Sequence, residues 1–235
     1  MITGTTETMV PGNNLSFQYE DSIWIGGVDE AGRGSIIGPL VIAGIIIHKS
    51  EIMLLKEMGV RDSKVLTKKA RARLCSKIIE IADSIYILKI NPIEIDENVF
   101  LKGLNRLEAK VMANIINNMR ADEIYVDCCD VNPHRYKEYL EQHLTHNPKI
   151  YSLHHADAIN VVVSAASIIA KVTRDNEIQR IRSKYHNIGS GYPSDLQTMK
   201  FIKQWIAKND NPPDFARKSW KPLRIMIEQK GQSRL

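Results

Sequence analysis

The sequence predicts an α/β fold: a mixed β-sheet flanked by α-helices, with a small helical C-terminal extension. Three observations carry that expectation. Short β-prone runs alternate with segments of helical periodicity through the middle of the chain, the pattern of strands covered by helices. The first two strand-like runs are separated only by a glycine-rich stretch and read as antiparallel neighbours. Beyond Ser194 the pattern is helical, broken at Asn211-Pro212-Pro213.

Element by element, Ile23 to Val28 is β-prone and runs straight into Asp29 and Glu30, and Leu40 to His48 is a second, far more apolar strand. Thr67 to Ala82 has a helical pattern, and Ser84 to Ile90, with Ile85, Ile87 and Ile90, is a third strand. From Leu104 to Met119, apolar Leu104, Leu107, Val111, Ile115 and Met119 recur at helical spacing. Glu123 to Val126 is a fourth strand that meets Asp127, Pro133 to Leu144 a helix, and Lys149 to Leu153 a fifth strand. Ala158 to Tyr185 starts apolar and ends basic, as suits a helix emerging from a core. Ser194 and Gln197 form a capping box that starts a helix through Ala207, and the tail after Pro213 offers Phe215 and Trp220 as packing partners for Trp205. There is no internal repeat.

Of 235 residues, 43% are hydrophobic and 25% charged, so the chain can bury a core and disorder as its main state is excluded. The longest apolar run, Leu40 to Ile47, is too short to cross a bilayer, and no membrane association is expected. Residues 1–22 lack the basic-then-apolar pattern of an export signal. Cys75, Cys128 and Cys129 have neither a disulfide framework nor metal-ligand spacing, so a reducing, cytoplasmic setting is expected. A net charge of +5 points only weakly to a polyanionic partner.

Two strands end in acids, Asp29 and Asp127, and ligands of α/β sheets gather outside the carboxyl ends of strands. Carboxylates that converge repel, and they persist only where one holds a proton or a cation neutralises them. Taken singly, each reads equally as a solvated strand end. Asp29 and Glu30 are neighbours that a regular strand points to opposite faces, so both serve one site only if the strand deforms, which Gly32 and Gly34 permit. Asp157, ahead of the long helix, faces its positive end, with a simple N-cap as the alternative. Asp62 and Asp130 are weaker candidates that read as turn residues. An all-oxygen set selects Mg²⁺ or Mn²⁺ over zinc, and His134, His143, His146, His154 and His155 show no zinc spacing. Two such ions are the usual apparatus for in-line attack at phosphorus, which points to phosphodiester hydrolysis.

Gly32, Arg33 and Gly34 present unobstructed backbone N–H groups beside a guanidinium, suited to a phosphate or ribose, or simply a turn. With Gly38 they have the wrong spacing for a dinucleotide loop. Lys64, Lys68, Lys69, Arg71, Arg73 and Lys77 crowd one stretch without an acid, and Arg217, Lys218, Lys221 and Arg224 crowd another. Both read as phosphate contacts or as solvated helix faces. Tyr192, between glycines and Pro193, reads as a stacking side chain or a buried anchor.

Val28-Asp29-Glu30-Ala31-Gly32-Arg33-Gly34, Gly38-Pro39-Leu40-Val41, Asp62-Ser63-Lys64, Tyr125-Val126-Asp127, the run from Ser164 to Val172, Gly189 to Asp195 and Arg217-Lys218-Ser219-Trp220 follow in one order. Together, from Ile23 to Pro222, they resemble ribonuclease HII, the type 2 ribonuclease H family, and its archaeal members in particular. The resemblance implies an RNase H-like catalytic domain over 23–193, an N-terminal extension over 1–22 with no family counterpart and open to flexibility, and a C-terminal extension over 194–235 that contributes to substrate binding. It implies an endonuclease that hydrolyses the RNA strand of RNA/DNA hybrids and cuts at single ribonucleotides in duplex DNA, leaving 3′-hydroxyl and 5′-phosphate ends, with roles in ribonucleotide excision repair and DNA replication.

It also assigns Asp29, Glu30, Asp127 and Asp157 as the catalytic, metal-binding acids for two Mg²⁺ or Mn²⁺ ions. Gly32, Arg33 and Gly34 would contact the 2′-hydroxyl and the junction phosphate, Tyr192 would stack on the next deoxyribose, and Lys64 and Lys171 would hold phosphates. A monomer is expected, and a sliding-clamp partner is not readable from the residues. His155 stands where the family commonly has lysine and Ser35 where archaeal relatives often have proline; neither removes an acid. Two other readings compete. A non-catalytic nucleic-acid binder has little reason to set carboxylates against a phosphate backbone, and a nucleotide-dependent oxidoreductase fails on the glycine spacing.

Overall fold

The computed structural model describes residues 6–9, 23–61, 63–101, 103–209 and 211–232. Asp62, and most of the expected N-terminal extension, lie outside these residues. Strands β1 (Thr6–Met9), β2 (Trp24–Ala31), β3 (Leu40–His48), β4 (Ser84–Ile90), β5 (Glu123–Asp127) and β6 (Lys149–Leu153) form one six-stranded sheet in the order β1-β4-β3-β2-β5-β6. Pairing is antiparallel from β1 through β4 and β3 to β2, and parallel from β2 through β5 to β6. All five strands expected from sequence are present. The additional β1 comes from within the stretch expected to be an extension and pairs along β4 at the sheet edge.

Helices are α1 (Ile52–Glu57), α2 (Lys68–Ile81), α3 (Pro92–Leu101), α4 (Leu104–Asn118), α5 (Pro133–Glu141), α6 (Ala156–Ile159), α7 (Val161–Tyr185), α8 (Leu196–Lys208) and α9 (Lys221–Gln232). They cover the sheet on both faces. Leu40, Ile42 and Ile46 of β3 pack with Val111, Met112 and Ile115 of α4 on one side. Val41, Ala43, Ile45 and Ile47 pack with α2 and α7 on the other. A strand buried on both faces is a continuous apolar run rather than an alternating one, which is why Leu40 to Ile47 stood out in the sequence. Among the described residues, no helix is long and apolar enough to cross a membrane.

The helix expected over 158–185 is two helices. Asn160 is extended, with φ −117° and ψ 117°, and its side chain accepts from the N–H groups of Val162 and Val163. Asn160 therefore caps α7, and Asp157 lies in the first turn of the short α6 instead. The capping box at Ser194 is also not formed. Asp195 caps α8, accepting from the N–H groups of Gln197 and Ser190, while the Gln197 amide donates to the carbonyl of Asn187. The expected C-terminal tail is largely α9. Trp205 meets Phe215 edge-on at 5.9 Å, and Trp220 stacks against Arg217 at 4.8 Å.

A third core joins Ile36 and Ile37, after β2, to Ile178 of α7, Ile202 of α8 and Leu223 of α9. The C-terminal helices thus pack against the loop that leaves β2. In the middle of β2, the backbone approach of α7 is close: a Cβ at Gly27 would fall 2.6 Å from the carbonyl carbon and oxygen of Val162. Gly27→Ala is expected to destabilise the fold by about 2–3 kcal/mol, because backbone must move. A drop in melting temperature of roughly 4–10 °C checks this.

Candidate active site

Asp29 and Glu30 lie in regular ladder. β2 keeps register with β3 through Asp29↔Ala43, Glu30↔Ile42 and Ala31↔Val41, so the strand deformation expected from the sequence is absent. What differs is the other neighbour: β5 pairs with β2 only as far as Val28↔Val126. Beyond that point β5 no longer pairs with the part of β2 that carries the two acids, and Asp127 is the last residue of β5. Asp29, Glu30 and Asp127 each offer an oxygen within 4.8 Å of the others.

Each acid is held from a different element. Asp29 Oδ1 accepts from the N–H of Glu30 at 2.7 Å, and Ser167 of α7 hydrogen-bonds the same carboxylate. Asp127 Oδ1 accepts from the N–H of Ala156 at 2.7 Å, which ties the end of β5 to α6. Asp157, 1% exposed, stands beside the trio rather than within it. Lys64 Nζ donates to both its oxygens, at 2.9 and 3.2 Å, and Ser164 donates to its carbonyl. His155, next to it, adopts a left-handed φ of 53°.

Burial and mutual repulsion dominate the electrostatics. Burial, then the charge of Asp127, lifts Asp29 from 3.8 to about 7. Burial, then Asp29 and Glu108, raises Glu30 well above its ordinary value. Burial also raises Asp127. Among the described residues, Glu30 Oε2 and Glu108 Oε1 have no hydrogen-bond partner, and both are buried. A compact, all-oxygen donor set that is short of positive charge fits a hard divalent cation.

Around the acids, the glycine loop is fixed by its arginine. Arg33 donates from Nε to Glu108 at 2.9 Å and from Nη2 to Asn105 at 2.5 Å, and Asn105 in turn donates to Asp130. The Cys129 thiol donates to the same Glu108 oxygen at 2.8 Å. Asp130 therefore supports Arg33 and also pairs with Arg135, outside the acidic trio. Gly32, at φ +88°, packs on Arg174: a Cβ there would meet its Nε at 2.6 Å. Among the described residues, a Cβ at Gly34 would meet nothing within 4 Å, which leaves room for a ligand. Ser35 closes the turn by donating from its N–H and hydroxyl to the carbonyl of Gly32.

Two buried arginines join this loop to the rest. Arg217 is fully buried; Nη1 donates to the carbonyl of Arg33 at 2.8 Å, and Nε and Nη2 to that of Gly38 at 3.2 Å. Burial, then the neighbouring Arg174, pushes its pKa down to about 9. Arg174 lies 4.4 Å from the Tyr192 ring centroid and donates to the carbonyl of Ser190. The carbonyl of Gly191 accepts from the N–H groups of Ile36 and Ile37. The Gly32–Gly38 loop, the Tyr192 loop and the segment around Arg217 are one bonded unit. Lys171 sits one turn beyond Ser167 on α7 and is partly buried.

The family model described as Ribonuclease HII matches residues 26–223. The chain belongs to the ribonuclease HII family. It is 48% identical over 200 residues to Ribonuclease HII of Cenarchaeum symbiosum (strain A), covering 85% of this chain and 96% of that protein. The crystal structure of the ribonuclease H2 from Pyrococcus horikoshii OT3 superposes with a TM-score of 0.83 at 42% identity, over 88% of this chain and 98% of that one. A chain of the PCNA:RNase HII complex from Archaeoglobus fulgidus superposes with a TM-score of 0.78 at 38% identity, over 85% and 96%. Bst-RNase HIII in complex with Mn²⁺ shares the fold, with a TM-score of 0.74 at 19% identity. The expected RNase H-like fold is therefore borne out, and the ribonuclease HII chain is an endoribonuclease acting on RNA/DNA hybrids with a dependence on divalent metal.

Sequence reasoning passed over Glu108, Asn105, Ser167, Arg174 and the burial of Arg217. A signal for the first was present, since Glu108 falls on the Leu104, Leu107, Val111 and Ile115 face of α4, and a charge on a buried helix face demands a partner.

The raised acids set a pH dependence. A carboxyl whose folded-state pKa exceeds its unfolded value costs the fold stability as pH rises between the two, from 3.8 to about 7 for Asp29. Metal-free protein is therefore expected to lose stability across that window, and a divalent cation to restore it. At about a hundredfold excess over Kd the gain is roughly 2.7 kcal/mol, or about 5–10 °C in melting temperature. It is expected to be larger at pH 8 than at pH 6 and to vanish with chelator; melting curves unmoved by Mg²⁺ or Mn²⁺ at both pH values would contradict this.

Proposed function

We propose that Asp29, Glu30, Asp127 and Asp157 are the catalytic acids of this ribonuclease HII chain, and that it incises single ribonucleotides embedded in duplex DNA as well as longer hybrids. The approach of Asp29, Glu30 and Asp127 to within 4.8 Å, from the ends of two parallel strands, carries the proposal. When bound, two Mg²⁺ or Mn²⁺ ions supply an activated water and charge stabilisation at the leaving oxygen, giving 3′-hydroxyl and 5′-phosphate ends.

The chain's own residues orient and select. Ser167 and the N–H groups of Glu30 and Ala156 fix the directions of Asp29 and Asp127, so little reorganisation accompanies reaction. Arg33, pinned by Glu108 and Asn105, holds the backbone of Gly32 to Gly34 toward the 2′-hydroxyl and the junction phosphate. The 2′-hydroxyl is what separates RNA from DNA at one nucleotide. Tyr192, backed on one face by Arg174, stacks its other face on the following deoxyribose. Lys64, paired with Asp157 but 58% exposed, and Lys171 hold flanking phosphates. Residues 194–235 act as a substrate-binding extension of the 23–193 domain through Arg217, which bonds the glycine loop directly.

The proposed setting is a cytoplasmic monomer working in ribonucleotide excision repair and replication. A sliding clamp is a fitting partner, since the Archaeoglobus fulgidus relative was solved as a PCNA complex.

Asp29→Asn is expected to lower turnover by about 10³-fold or more, while metal-free binding of an uncut duplex stays within about twofold. Cleavage of a duplex with one ribonucleotide, mapped at nucleotide resolution, reads activity, junction choice and end chemistry together; equal losses of binding and cutting would overturn the assignment. Tyr192→Phe is expected to be mild and Tyr192→Ala to raise KM about tenfold or more, from the loss of roughly 1–3 kcal/mol of stacking. The reverse order in steady-state kinetics would reject the stacking role.

A further inference from the structure

We propose that α2 carries a second, sequence-independent contact surface for the phosphate backbone of duplex nucleic acid: an exposed ridge of Lys69, Arg73 and Lys77 that starts at the rim of the acidic site. This rests on the proposed substrate reading and extends it beyond the reacting nucleotide.

The helix is placed for such a role. Lys64, just ahead of α2, bonds Asp157, and Thr67 caps the first turn by accepting from Ala70. Lys68 and Arg71 of that turn pair with Asp175 on α7, at 3.9 and 3.1 Å, and Leu74 and Ile78 bury the inner face. Lys69, Arg73 and Lys77 recur every fourth residue on the outer face, all exposed, with small Ala72 and Ser76 alongside. Among the described residues none of the three has an ion-pair partner, whereas Lys68 and Arg71 beside them do.

The arrangement works against the helix that bears it. Like charges four residues apart repel, and cations in a first turn oppose the positive end of the helix dipole, where acids are favoured. The first turn of α2 holds no acid and its last turn no base. The same features concentrate positive potential at the end of α2 nearest the acids. From Lys69 to Lys77 the helix rises about 12 Å, a length along which one strand of a duplex presents about three or four phosphates. A neutral or basic partner would gain nothing from unopposed cations in this register.

The test is binding rather than cleavage. The affinity of the full-length protein for an uncut RNA/DNA duplex of roughly 30 base pairs, in chelator, is measured from about 50 to 200 mM salt. Lys69→Gln, Arg73→Gln and Lys77→Gln are expected to lower the slope of log K against log salt by about 0.9 each, and the triple variant by about 2.7. Melting temperature is expected to stay level or rise as the repulsion relaxes. A control carrying Lys137→Gln, Lys149→Gln and Arg180→Gln removes the same charge from cations already paired with acids and is expected to leave the slope within about 0.5.

An unchanged slope in the ridge variants, or an equal fall in the control, would overturn the proposal, leaving a solvated helix face or a simple net-charge effect. Cleavage by the unaltered enzyme judges the catalytic reading separately. A lowered slope without cleavage keeps the ridge and removes that reading, and cleavage with an unchanged slope does the reverse.

Discussion

Negative charges brought together out of water repel, and that repulsion is the constraint on which the site depends. Asp29 and Glu30 leave one strand and Asp127 ends its parallel neighbour, and burial raises the pKa of all three. Such a grouping survives only where the scaffold leaves it no room to spread. Here the scaffold is the sheet itself. β3 holds β2 in register past the acids, Ala156 fixes the end of β5, and α7 lies so close on β2 at Gly27 that a methyl group would strike its backbone. A cation bound there would relieve a strain already present and so would add to the stability of the fold.

A second constraint concerns the neighbours of the acids. Arg217 is buried and donates to the carbonyl oxygens of Arg33 and Gly38, and Arg174 next to it lowers its pKa further. Burying two like charges side by side is costly unless their hydrogen bonds are well made. What those bonds hold is informative: the carbonyls of Arg33, Gly38 and Ser190. Both guanidiniums cross-link loops rather than stabilise a core, and the loops are those that carry Gly32 to Gly34 and Tyr192. Rigid presentation of backbone N–H groups and a ring face suits recognition of one sugar in a long polymer.

Much of this was legible in the residues. β3 announced itself because burial on both faces leaves no polar alternation, and Asp29 and Asp127 stood out because they end apolar strands. The resemblance added the order of the motifs, with Asp157 in its place. The details that escaped depend on competition between near-equal local options or on where a neighbour stops. Asn160 and Asp157 are both good caps, and the backbone break at Asn160 decided between them. Ser194 and Asp195 competed likewise, and the hydrogen bond from the Ser190 N–H to Asp195 settled that contest. That Asp29 and Glu30 converge without a bend follows from the length of β5, which no pattern within β2 reveals.

A nuclease of this kind must draw a polyanion toward a nest of acids, and depth resolves the contradiction. Asp29 and Asp157 are 3% and 1% exposed, and Lys64 at the mouth already opposes Asp157. A phosphate about 8 Å away, one Debye length at physiological salt, therefore meets exposed cations on a chain of net charge +5 before it meets the carboxylates. Burial raises the pKa of Asp29 and Glu30, and a divalent cation beside them would favour their charged forms. Attraction at the surface and charge at the centre are separated in space, and a cation at the centre would act on the second alone.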